Sequence, residues 1–198
     1  IHADQGLVTG PVPLTPIQRW FFEGRSPQPH HQNQAVLLEA GVHLDEGLVR
    51  EAIGHLLRHH DALRLRFDLS VDPPRAHLGG AGDGVPFVVR DLSALREADA
   101  GHAVTLDADQ AQRSLNLIHG PLVRVVLYRM PAGVSDRLLF VIHHLAVDGV
   151  SWRILIEDLV SAYSQRAHGQ AVELPAKTTS IRHWAERLQA YATSADVI

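Results

Sequence analysis

The chain has 198 residues, 45% apolar and 20% charged, enough for one ordinary domain with a filled core or for one lobe of a larger protein. A formal charge of −4 gives no basic footprint for nucleic acid, and the absence of Cys excludes disulfides, thiolate metal sites and a cysteine nucleophile. No apolar run approaches the ~18 residues of a membrane span and no secretory leader is present, so a cytoplasmic protein without membrane association is expected, while a first residue other than Met, Ile1, fits a piece of a longer chain.

In chain order, Thr15 as a cap with Pro16 at the first helical position predicts a short helix carrying Trp20, Phe21 and Phe22. "NQAVLLEAG" (33–41) reads as a strand. "LDEGLVREAIGHLLRHHDAL" (44–63) is an amphipathic helix that Asp45 can cap, with Leu48, Ala52, Ile53, Leu56 and Leu57 at helical spacing. "LRLRFDLS" (63–70) alternates apolar and basic residues, as a half-buried strand does. "AHLG" (76–79) is a short return strand, and "GGAGDG" (79–84), lacking the Lys-Ser/Thr of a phosphate loop, is a connection.

"VPFVVRDLS" (85–93) is a further strand, and "DADQAQRSLNL" (107–117) a helix stopped by "HGP". "PLVRVVLYRM" (121–130) and "RLLFVIHHL" (137–145) form an antiparallel hairpin. "SWRILIEDLVSAYSQRAHG" (151–169) and "TSIRHWAERLQAYAT" (179–193) are helices, the second capped by Thr179 or Ser180. Sequential antiparallel strands mixed with helical crossovers predict an α+β sandwich of helices on a mostly antiparallel sheet. No repeat or composition shift divides residues 1–198, so they read as one unit.

The apolar run "LLFVI" (138–142) leads directly into "HHLAVDGVSWRIL" (143–155). Side chains alternate along a strand, so His144 shares a face with Phe140 and Ile142, and His143 with Leu139 and Val141. Two imidazoles facing opposite ways cannot easily share a metal, and neither HExxH spacing nor Cys is nearby; no metal is expected. One histidine packs inside while the other reaches a cleft, where an imidazole suits acid–base work. Gly149 permits a backbone bend. Asp148 is a structural residue, either capping the following helix or pairing with a cation, for which Arg64 and Arg66 are the candidates. Ser151 reads as a cap and not a nucleophile. Of the fourteen histidines most need no functional explanation, and His30, His31, His59, His60, His168 and His183 read as surface or structural.

"HHLAVDGVSW" (143–152) has the HHxxxDG pattern of the condensation-domain superfamily of nonribosomal peptide synthetases, which includes chloramphenicol acetyltransferase-like enzymes. "PIQRWFFE" (16–23) and "HHLAVDGVSWRILIEDL" (143–159) resemble the first two core motifs of epimerization domains, and "RHHDALRLRF" (58–67) resembles the segment carrying the arginine that pairs with the motif aspartate. The resemblance implies a chloramphenicol acetyltransferase-like sandwich forming the N-terminal lobe of a two-lobed, V-shaped domain. His144 then matches the catalytic histidine and His143 the structural one, while Asp148 and Gly149 shape the motif and Asp148 is bridged to Arg64. Trp152 supports, and Trp20, Phe21, Phe22 and Trp184 serve core or lobe packing.

The implied reaction inverts an L-aminoacyl or peptidyl residue at its α-carbon. The substrate is held as a thioester on the phosphopantetheine arm of a peptidyl carrier domain, with no cofactor bound directly. A glutamate from the C-terminal lobe would face His144, so this chain alone is expected to be inactive. An exposed lobe–lobe face would be apolar and open to self-association. The rival readings are an amide-forming condensation domain and a non-catalytic lobe that docks a carrier.

Overall fold

The computed structural model describes residues 3–82 and 84–194. Asp83 of the glycine-rich connection and both extreme ends of the chain lie outside the described residues. Within the described residues, seven strands and five α-helices follow one another as β1 (Gly10–Val12), α1 (Pro16–Glu23), β2 (Asn33–Glu39), α2 (Glu46–His59), β3 (Leu65–Asp68), β4 (Arg75–Leu78), β5 (Phe87–Asp91), α3 (Glu97–Arg113), β6 (Val123–Arg129), β7 (Arg137–His143), α4 (Gly149–Ala167) and α5 (Ile181–Ala192). Single 3-10 turns occur at Pro29–His31 and Asp61–Arg64. No helix among them is long and apolar enough to cross a membrane.

The main sheet has the order β2-β7-β6-β5, antiparallel except for the β5–β6 pair. That parallel pair needs a crossover, and α3 supplies it. β7 is central and covered on both faces, which is why its sequence is a continuous apolar run rather than an alternating one. Phe140 and Ile142 pack with Ile53 and Leu56 of α2 and with Leu155 and Leu159 of α4. Leu139 and Val141 pack on the opposite face with Ala100 and Val104 of α3. A second, three-stranded sheet, β1-β4-β3, encloses a separate core around Phe67, Leu117 and Leu122, against which Phe21, Phe22 and Ala185 pack.

The caps follow local chemistry. Thr15 and Gln18 form a reciprocal capping box on α1, Asp45 accepts from the Leu48 amide at the start of α2, and Ser180 rather than Thr179 caps α5. Several boundaries differ from the sequence expectation: α2 ends at His59 rather than Leu63 and α3 at Arg113 rather than Leu117, and two helices start earlier. α3 begins at Glu97, ten residues before the expected start, because that first half buries only Ala100 and Val104, too few apolar positions to show a helical period. α4 begins at Gly149 with Asp148 as its cap, two residues earlier than expected.

Candidate active site

The main-sheet strand β7 stops at His143, and the backbone there is held on both sides: the His143 amide donates to the Leu122 carbonyl and the His144 amide to the Gln32 carbonyl. A turn closed by the Ala146 amide on the His143 carbonyl then leads to the N-terminus of α4. Alternation along the strand sends the two imidazoles to opposite sides, and each becomes fully specified by its neighbours.

His143 has no solvent exposure. Its Nε2 lies 2.8 Å from the Pro29 carbonyl, which can only accept, so Nε2 carries the proton. Nδ1 is then the acceptor for the Leu145 amide at 3.1 Å. The Phe21 ring meets the imidazole edge-on at 5.8 Å between centroids. Burial pushes the His143 pKa down to about 4, against the opposing pull of the Pro29 hydrogen bond.

This has a consequence for stability. In the unfolded chain the ring titrates near 6.5. Above that pH both states are neutral, so the linkage is silent. As pH falls below 6.5 the unfolded chain takes up the proton first, and stability drops until about pH 4, where the folded form protonates as well. The full loss is about 3 kcal/mol. His55, His59 and His60, whose pKa values are also lowered chiefly by burial, add in the same direction. Urea unfolding at pH 7.5 and pH 5 should therefore show lower stability at pH 5, with the difference reduced in His143→Gln. An unchanged difference in that variant would contradict the assignment.

His144 is exposed at the rim of an open groove of about 660 Å³ between α1, the β7–α4 turn and α5. Its Nδ1 lies 2.9 Å from the Val147 carbonyl and its Nε2 3.3 Å from the side-chain nitrogen of Gln34. The carbonyl can only accept, so Nδ1 carries the proton and Nε2 holds the lone pair. The groove wall is largely apolar, built from Trp20, Phe21, Trp184 and Leu188. Trp20 is 69% and Trp184 53% exposed, so neither belongs to the core of this chain, while Phe21 and Phe22 do pack inside.

Trp152 is buried at the start of α4, and its indole N–H donates to Gln34 Oε1 at 2.7 Å. Gln34, on β2 opposite Ile142, thus joins Trp152 to His144. Neither Gln34 nor Val147 stood out in the sequence. Both are brought to His144 by the β2–β7 register and by the β7–α4 turn, which one sequence does not reveal.

The expected bridge from Asp148 to Arg64 is not formed. Asp148 caps α4, accepting from the Ser151 hydroxyl at 2.6 Å and the Ser151 amide at 2.8 Å. These two bonds, the hydroxyl's first, hold its carboxyl below the usual carboxylate range. Arg64 is engaged elsewhere. Only 4% exposed, it donates to Asp61 Oδ1 at 2.5 Å and to the carbonyls of Leu57, Val8 and Gly79. Lys177 Nζ, 3.3 Å from the same Asp61 oxygen, completes a buried triad. The signal was present in the sequence, since Asp61 and Arg64 are three residues apart and a shared turn pairs them without any tertiary contact. Gly149 also differs from expectation. It is the first residue of α4, its φ is not positive, and an added Cβ would meet open space, so no bend there demands glycine.

Among the described residues one set of His and carboxylate groups lies close enough to share a metal ion, namely His59, His60 and Asp158 at the junction of α2 and α4. His60 Nε2 already hydrogen-bonds Asp158 Oδ2 at 2.8 Å, closing that junction from within.

The comparisons with known proteins converge. The condensation-domain family model matches residues 8–197. The chain is 44% identical over 198 residues to tyrocidine synthase 2 of Brevibacillus parabrevis, covering 100% of this chain and 5% of that protein. It is 46% identical over 192 residues to chondramide synthase of Chondromyces crocatus, covering 97% and 5%. The crystal structure of the epimerization domain from the third module of tyrocidine synthetase B superposes with a TM-score of 0.92 at 45% identity, over 98% of this chain and 44% of that one. The starter condensation domain of rhizomide synthetase shares the fold at a TM-score of 0.77 and 23% identity, over 94% of this chain and 45% of that one. The chain therefore spans under half of the epimerization-domain structure and a small fraction of the curated synthetases. With the paired histidines, the α+β sandwich and the motif order all in place, the chain belongs to the condensation-domain family.

Proposed function

We propose that this chain is the histidine-bearing lobe of an epimerization domain, which inverts the α-carbon of an aminoacyl or peptidyl residue carried as a thioester. The observation that carries this reading is the 45% identity, at a TM-score of 0.92, to the tyrocidine synthetase epimerization domain, against 23% to the rhizomide starter condensation domain. His144 is the proposed general base and acid. Its Nε2 lone pair takes the α-proton, and the positive charge that develops on the ring is met at Nδ1 by the Val147 carbonyl. His143, with both nitrogens committed to the backbone, fixes the strand end and stays out of the chemistry.

Inversion needs a proton removed from one side and returned to the other. The second group would come from a C-terminal lobe lying across the groove, so this chain alone is expected to show no turnover. The exposed Trp20 and Trp184 beside the groove suit lobe packing and would also support self-association of the isolated chain. The substrate would arrive on the phosphopantetheine arm of a peptidyl carrier domain; when bound, that arm supplies the thioester that acidifies the α-proton. The apolar groove wall is compatible with its alkyl segments. The test is α-proton exchange in heavy water on a carrier-bound peptidyl thioester, using an intact module that contains this chain. Exchange with D-product supports the proposal. Amide product without exchange would favour condensation, and silence in both assays a docking role.

A further inference from the structure

Three hydrogen bonds around His144 can be assigned without ambiguity, because one partner in each has a single possible role. The indole of Trp152 can only donate, so the Gln34 atom 2.7 Å away is its carbonyl oxygen. The other end of the Gln34 amide, 3.3 Å from His144 Nε2, is therefore the NH2 group. The Val147 carbonyl can only accept, so the proton of the imidazole is on Nδ1 and the Nε2 lone pair faces Gln34. The two ends of the chain impose the same answer on its middle: Trp152 donates to Gln34, Gln34 to His144, and His144 to Val147.

The supports are rigid where they need to be. Trp152, on α4, is buried in the core, and Gln34, the second residue of the edge strand β2, is half-buried and held opposite Ile142 by the β2–β7 ladder. The Gln34–His144 link, at 3.3 Å, is the longest of the three, at the outer limit for a hydrogen bond to nitrogen. A substrate reaching Nε2 can displace it at little cost.

We propose that Gln34 is a positioning residue, whose amide, oriented by Trp152, keeps the Nε2 of His144 an unprotonated acceptor until substrate arrives. For its consequence on turnover this rests on the epimerization reading above; for the protonation pattern of His144 it does not.

The informative substitution is Gln34→Glu. Either carboxylate oxygen still accepts from Trp152, but the atom facing Nε2 becomes an acceptor. With Val147 retaining the Nδ1 proton, His144 must then carry protons on both nitrogens. Gln34→Met removes both functions and leaves Nε2 bare. Nitrogen-15 histidine NMR on the intact module reads this directly, and the His143 signals, whose partners are untouched, report whether each variant is folded.

The expected result is a pyridine-like Nε2 in the native protein and in Gln34→Met, and two protonated nitrogens in Gln34→Glu at neutral pH. Exchange in Gln34→Glu should fall by about 10²-fold or more, because a general base without a lone pair forfeits its share of the rate. A folded Gln34→Glu variant with Nε2 still bare overturns the proposal, as does full exchange with Nε2 protonated. If the NMR pattern follows expectation while the native module shows no exchange, the positioning of His144 stands and the epimerization reading falls.

Discussion

Replacing Asp61 with alanine is expected to destabilise the fold by about 3–5 kcal/mol, the cost of stranding buried charge without its counter-ion. Arg64 and Lys177 converge on Asp61, with side chains 4% and 10% exposed, and removing the carboxylate leaves two cations facing each other in a site water barely reaches. Arg64 also ties three separate segments together through the carbonyls of Val8, Leu57 and Gly79, so repulsion there loosens the chain start, the end of α2 and the glycine-rich connection at once. Against a typical total of about 5–15 kcal/mol, the variant should unfold at far lower urea concentration. Asp148→Ala should cost only about 1 kcal/mol, the value of a helix cap. Equal losses at the two aspartates would contradict the assignment of the buried cations to Asp61.

His144→Ala is expected to reduce α-proton exchange by about 10²–10⁴-fold, the usual share of a positioned acid–base group, with urea stability nearly unchanged because the ring is exposed and stands outside all three cores. His143→Ala makes the opposite contrast. It opens a cavity against Phe21 and leaves the Pro29 carbonyl and Leu145 amide without partners, so it should lose stability before it reveals anything about rate. A His144→Ala module that keeps native exchange would remove this histidine from the reaction.

What was legible in the sequence divides along the range of the interaction. The parity of His143 and His144 followed from strand alternation, and the capping of α1 and α2 from residues within three positions of the helix start. The first half of α3 is not legible because it buries only Ala100 and Val104, too sparse a stripe to give a periodic signal. The partner of Arg64 was sought across the fold, at Asp148, when the local pair with Asp61 satisfied it at lower entropic cost. Gln34 was beyond reach, since it is 110 residues from His144 and meets it only through the register of β2 on β7. Trp20 and Trp184 look like core residues in composition, and only the folded chain displays them at the groove.

The most direct test of the central claim is to incubate an intact module containing this chain with an L-peptidyl thioester on its carrier domain in heavy water, and to determine deuterium content and configuration at the α-carbon. Deuterium at that carbon together with accumulation of the D-epimer is the expected result. An α-carbon that stays protonated and L while a new amide bond forms to a second carrier-bound residue would contradict it.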